Sequence, residues 1–201
     1  MVLGRRVLPV ALLALAGCSS TAPAPEKKKV EPPKPITGLS AVYNMYKLAR
    51  TWAPDALPLK AQSYNLQEPK SENGRAGAWS CVFVSPSRKK QKMYTYSTVE
   101  GDFHKDAFAG HEESWGGDTR QSQSFRIEAL KTDTDKAWEL AMSKSEKYMK
   151  ANPEMPVFIQ VEKTDRFPDP AWRIIWGESV SKSSYSIFVD TATGVYLSTG
   201  R

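Results

Sequence analysis

Residues 78–101 read AWSCVFVSPSRKKQKMYTYSTVEG, and residues 171–194 read AWRIIWGESVSKSSYSIFVDTATG. The two stretches have equal length and align without a gap at an offset of 93. Trp79 falls on Trp172, Cys81 on Ile174, Phe83 on Trp176, Tyr94 on Ile187, Tyr96 on Val189 and Gly101 on Gly194. Few residues are identical, but the apolar positions coincide, which is how a duplicated structural unit shows itself in sequence. Within each stretch the apolar side chains alternate, so Trp79, Cys81 and Phe83 point to one face of a strand, as do Trp172, Ile174 and Trp176. The run Arg88-Lys89-Lys90 then falls at a hairpin tip, where a short run of like charge reads as solvated.

The match extends upstream. Ala53-Pro54-Asp55-Ala56-Leu57-Pro58-Leu59 resembles Ala151-Asn152-Pro153-Glu154-Met155-Pro156-Val157 at an offset of 98, so a loop near Glu68 to Gly77 is five residues longer in the first copy. Before each lies a helical pattern. Val42, Met45, Tyr46, Ala49 and Trp52 recur at spacings of three and four, as do Ala137, Trp138, Ala141, Met142, Tyr148 and Met149. Asp133 or Thr134 can cap the second helix, and Asp135 suits its positive end. The run Asn152-Pro153-Glu154-Met155-Pro156 stops it, because proline lacks an N–H and restricts the residue before it. Each copy therefore reads helix, strand, strand, strand. The expected class is α+β, with two tandem units of one helix on an antiparallel sheet, at 39–121 with a connecting loop and at 122–201.

The end of the second copy is a tryptophan strand, a polar hairpin and then Tyr185-Ser186-Ile187-Phe188-Val189-Asp190-Thr191-Ala192-Thr193-Gly194-Val195. This resembles the PepSY-like group, whose domains are cystatin-like helix-on-sheet units. Asp190 and Gly194 suit a turn, since aspartate bonds nearby backbone and glycine tolerates positive φ. The first copy departs from the pattern, with Ser97 where Asp190 stands. The resemblance covers the second copy well and the first loosely. It implies an interaction module of the cell envelope, in a group for which a peptidase-regulating role has been proposed.

Residues 1–17 predict export. Arg5 and Arg6 precede an apolar run from Val7 to Gly17, 11 residues long, whereas a spanning helix needs about 20. This is the layout of a signal peptide. Leu15-Ala16-Gly17-Cys18 resembles the bacterial lipobox, which implies cleavage before Cys18 and lipidation of its thiol. Ser19 and Ser20 follow with no aspartate, which in a Gram-negative envelope implies the outer membrane, facing the periplasm. Residues 18–38 carry five prolines and few large apolar side chains, so they read as an extended tether that holds the folded part off the bilayer.

Cleavage would remove two arginines and no acid, leaving 26 basic against 22 acidic side chains. That balance is mild, and with export it argues against a nucleic-acid partner. Lipidation of Cys18 would leave Cys81 with no partner for a disulfide. Cys81 itself matches an isoleucine in the other copy, which points to the core and not to a nucleophile.

Chemistry has little foothold. The chain holds two histidines, His104 and His111. With Asp106, Glu112 and Glu113 they could be drawn as metal ligands, but a spacing of seven in a glycine-bearing loop lacks the helical i, i+4 arrangement of zinc sites. No nucleophile elbow, phosphate cradle or dinucleotide fingerprint occurs, and no cofactor or metal is expected. Paired carboxylates leave no local signature, so a hydrolase using carboxylates near the central loop stays as the alternative, with a purely structural envelope protein beside it. Gly101 to Gln123 reads as a long loop between the copies, and Ser122 to Leu130 as a strand joining them. Trp115 within that loop is the candidate binding residue. It is expected to tuck into the groove between the copies; exposed, it would anchor a peptide, protein or sugar. The function expected is a membrane-anchored, non-catalytic binding or adaptor protein. Its partner would be an envelope protein, a peptide or a cell-wall polymer, met at a sheet edge or in the groove between the units.

Overall fold

The structure is a computed structural model and describes residues 32–200. The lipobox, Cys18 and most of the tether lie outside the described residues. The tether reading stops short of its predicted end. Ile36–Thr37 forms a two-residue strand, β1, and helix α1 follows at Gly38–Trp52. Thr37 caps α1, its hydroxyl oxygen accepting from Ser40 N at 3.4 Å.

After α1 come β2 (Leu57–Tyr64), β3 (Arg75–Ala76), β4 (Ala78–Ser85), β5 (Lys90–Ser97) and β6 (Asp106–Ser114). Helix α2 (Thr134–Ala151) is followed by β7 (Val157–Glu162), β8 (Ala171–Gly177), β9 (Ser183–Asp190) and β10 (Tyr196–Gly200). Eight strands make one antiparallel sheet in the order β10-β9-β8-β7-β2-β4-β5-β6, and β1 pairs with β3 apart from it. The class is therefore α+β, with both helices on one face. Helix α1 lies over β2 and β4–β6, and α2 over β8 and β9.

The strand order reads outward from a central β2·β7 seam in the same sense on both sides. The ladders keep the offsets seen in the sequence. Ala61 pairs with Cys81 and Cys81 with Tyr94; Ile159 pairs with Ile174 and Ile174 with Ile187. At the seam Gln62 pairs with Gln160, its own equivalent at the offset of 98. The core is built from the alternate positions that face the helices: Trp79, Phe83, Trp172, Ile174, Trp176 and Ile187 are all 1% exposed or less.

The two halves also meet where their helices begin. Trp79 Nε1 donates to Ile36 O at 3.2 Å, and Trp172 Nε1 donates to Thr132 O at 2.7 Å. Each indole thus ties its strand to the carbonyl two residues before its own helix. The tips of both rings close on Gly38, where an added Cβ would lie 2.9 Å from Trp79 and 3.0 Å from Trp172. Asp133 serves both helices. Its Oδ1 accepts from Thr134 N at 2.7 Å and from Leu39 N at 3.1 Å, while Thr134 Oγ1 accepts from Gly38 N at 2.8 Å. One carboxylate therefore faces two positive helix ends and satisfies a free N–H at each. Replacing Asp133 with Ala is expected to cost about 2 kcal/mol, twice the usual loss of one cap. Urea unfolding followed by circular dichroism checks this, and a loss like that of a single exposed cap would refute the shared role.

Three expectations need correction. The long loop between the copies contains β6, and the second half likewise ends in a fourth strand, β10. Ser122 to Leu130 is not a strand. It makes two isolated bridges, Ser122 to Thr119 and Gln123 to Lys163, then a 3-10 turn at Ile127–Ala129. Its apolar residues Phe125, Ile127 and Leu130 enter the core from the end of the sheet. They are apolar because they are buried in the core, not because they alternate along a ladder. The Asp190 turn forms as read: its Oδ1 accepts from Ala192 N and Thr193 N at 2.9 and 2.7 Å, and Gly194 has a φ of 73°.

Candidate functional site

The residues singled out in the sequence do not converge. Trp115 follows β6 at the outer rim of the sheet, where its N–H donates to Lys89 O at 3.0 Å. Half-buried there, it is separated from the β2·β7 seam by β6, β5 and β4. It does not seal the groove between the halves. The metal candidates scatter as well. His104 stacks on Phe108 at 4.0 Å and lies 3.4 Å from Glu100, Glu112 turns under α1, and Glu113 accepts from Gln91. Among the described residues no cluster of three or more such ligands forms. Cys81 is fully buried in β4, and burial pushes its thiol well up.

The carboxylates with displaced acidity act as clamps. Glu112 Oε2 accepts from Trp52 Nε1 at 2.7 Å and from Arg88 at 2.8 Å. The indole bond first, then the Arg88 charge, lowers its pKa. Arg88 also caps the end of α1 through Trp52 O and lies over the Trp52 ring. This pins edge strand β6 and the β4–β5 hairpin beneath the helix. Asp55 sits beside that hairpin, its oxygens accepting from Ser85 Oγ at 2.7 Å and Ser87 N at 2.8 Å. These bonds, led by Ser85, hold its carboxyl down to about 2. A depressed folded pKa gives stability that is present above the unfolded value of about 3.9 and lost as pH falls towards the folded one. Asp55→Asn should therefore flatten the acid limb of stability between about pH 4 and pH 2, read by urea midpoints across that range. An unchanged limb would contradict the clamp.

Two concave regions flank the seam. On the helix side a cavity of about 610 Å³ opens between the loop after β2, α2 and the start of β7. Leu66, Trp138, Val157 and Ile159 supply most of its apolar wall, with Lys70, Glu72, Arg75 and Glu154 among its polar groups. The loop is the segment five residues longer in the first copy. It is tied down by Thr134 Oγ1 donating to Gly74 O at 2.6 Å and by the Arg75–Asp135 ion pair at 3.2 Å. Gly74 is required there: its φ is 78°, and a Cβ would run into the Thr134 carbonyl. A cavity of this size with an apolar lining and a few polar groups has the make-up of a ligand site. Sequence reasoning missed its residues, and the extra loop length is the signal that points to them.

On the helix-free side a groove of about 600 Å³ is lined by Lys60, Gln62, Tyr64, Phe158, Gln160, Glu162, Arg173 and the turn Glu178 to Ser181. Its floor is a row across three strands, since Gln62 pairs with Gln160 and Gln160 with Arg173. Sequence reasoning missed this row too, although glutamine recurs at 62 and 160 at the offset of the two copies.

The sheet edges are less inviting. Strand β6 is nine residues long, with Phe108 exposed on it and Met93 exposed beside it. However, it carries Asp106, Glu112 and Glu113, and its ladder with β5 shifts register between Lys92 and Tyr94. Charges and bulges are devices that discourage strand addition. No helix among the described residues is long and apolar enough to cross a membrane.

Compared with known protein families and with curated proteins, the chain matches none. Among solved structures it is similar to the crystal structure of a protein described as a lipoprotein, from Clostridium difficile 630. The two are 11% identical with a TM-score of 0.44, over 86% of this chain and 95% of that one.

Proposed function

We propose that this chain is a lipid-anchored binding protein of the cell envelope, held through acylated Cys18 at the outer membrane and facing the periplasm. It takes a protein segment or peptide in the helix-side cavity at the β2·β7 seam and does no chemistry of its own. The observation that carries this reading is the cavity of about 610 Å³, apolar around Trp138 and rimmed by charge. An aromatic wall with a polar rim is how binding energy is usually concentrated. The equal ladder offsets support reading the two halves as PepSY-like units, the extra loop of the first being the device that makes the site.

Site-specific photocrosslinking in native membranes tests this. A photoreactive residue at Lys70, on the cavity, should give one adduct of discrete mass. The same probe at Lys136, exposed on α2 beyond the cavity lining, should not. The adduct should disappear in Trp138→Ala protein whose circular dichroism is unchanged. No adduct from Lys70, or equal adducts from both positions, would overturn the reading.

A further inference from the structure

The groove on the helix-free face contains an unmet demand for hydrogen bonds. Gln160 is 1% exposed, and its Oε1 has no partner among the described residues. A buried carbonyl oxygen without a donor costs on the order of 1–3 kcal/mol, which a donor brought by a ligand would recover. The amide carries this acceptor oxygen beside an NH₂ with two donors. Next to it across the ladder stands Arg173. Its Nε donates to Ser186 Oγ at 3.0 Å, but among the described residues no carboxylate lies within 4 Å of the guanidinium. Half-buried, it is desolvated enough for burial to lower its pKa. On the other side, Lys60 opposes Glu162 in the β2·β7 ladder without closing to an ion pair. Glu178, at the rim, is taken by Lys182 at 3.1 Å.

We infer that this groove is a recognition site for the free C-terminal end of a peptide. The planar fork of Arg173 takes the carboxylate, with Lys60 adding charge, while the last amide N–H of the peptide donates to Gln160. Gln160 and Arg173 are direct ladder partners on one face, with Cβ atoms about 5 Å apart, so both can reach a carboxylate and the amide N–H next to it. A guanidinium with unused donors binds a carboxylate in two-pronged fashion. Glu162 sets the charge limit: it stands beside Lys60 and repels an ion with more than one negative charge, so phosphate fits poorly. A bare carboxylate without a donor would leave Gln160 unanswered. Phe158, and Tyr64 packed on Phe103 at 4.7 Å, provide apolar walls for the last side chain. This site lies on the opposite face of the sheet from the cavity of the proposed function and does not depend on it.

Two sources share this chemistry: the L-ended tail of a protein and the D-ended stem peptide of a cell-wall polymer. The test titrates the mature chain with N-acetyl-L-Ala-L-Ala and N-acetyl-D-Ala-D-Ala, followed by the side-chain amide signal of Gln160 and the Nε signal of Arg173 in NMR. At least one acid should shift both signals saturably below roughly 10 mM, and the stronger of the two names the source. The same peptide with its C-terminus amidated should bind about tenfold more weakly, as should Lys60→Gln protein, each losing charge-assisted contact. Lys60→Gln keeps a β2 residue of similar length and leaves Arg173 packed, so a folding defect does not confound it. Arg173→Gln should abolish binding. Equal binding of acid and amide, or no saturable shift with either acid, would overturn the site.

Discussion

Cys18→Ser protein should take up no lipid and accumulate at precursor length in cells that export it. A serine hydroxyl cannot take the thioether-linked lipid that the lipobox resemblance implies, and the unmodified precursor would not be cut before residue 18. Each buried CH₂ contributes roughly 0.8 kcal/mol of membrane affinity, and stable anchoring takes more than one chain, so in the mature chain the acylated cysteine supplies the attachment. The described residues offer no spanning helix to replace it. Labelled fatty acid and intact mass check both halves of the claim: label and mature length in the wild type, no label and precursor length in the variant. A variant that takes up label, or that is cut before residue 18, would contradict the lipobox reading.

Trp172→Ala should be among the most destabilising single changes available. The side chain is fully buried, its Nε1 holds Thr132 O at 2.7 Å, and its ring tip closes on Gly38 at the junction of the two halves. Truncating a buried tryptophan costs about 3–5 kcal/mol, and the abandoned carbonyl adds about 1 kcal/mol. Against a total of about 5–15 kcal/mol this is a large share. For a domain of this size it lowers Tm by roughly 10–15 °C. Trp79→Ala should behave alike, because Trp79 holds Ile36 O from the equivalent place. The double variant should lose less than the sum, since both rings press on the same glycine. Thermal unfolding of the three proteins decides it. Independent, additive losses would mean that the halves do not share one junction.

What the sequence disclosed and what it hid follow from how each element is buried. Strands β4 and β8 alternate large apolar with other residues because one face meets a helix, so Trp79, Phe83, Trp172 and Trp176 announce them. Strand β6 is invisible for the opposite reason. At the rim its core face needs only Ala107 and Ala109, because α1 passes close above, and most of its other positions are polar or glycine. Phe125 and Ile127 mislead because two apolar residues at a spacing of two look like a strand, when they plug the end of the sheet. Trp115 draws attention by its type. Its place at the rim is set by β6, which the sequence does not reveal. The two concave regions are hidden because their residues come from separate elements: Trp138 from a helix, Leu66 from a loop, Gln160 and Arg173 from paired strands. Only the five extra residues of the first copy and the repeated glutamine are clues.

Hydrogen–deuterium exchange tests the binding claim most directly, because it works with a partner of any identity. The lipidated protein is compared in its native membranes and after purification. If the seam cavity is occupied in the envelope, exchange in residues 65–76 and at the start of β7 is slower in membranes and speeds up on purification, while the β4–β5 hairpin exchanges alike in both. Identical exchange at the cavity in the two states would contradict the account.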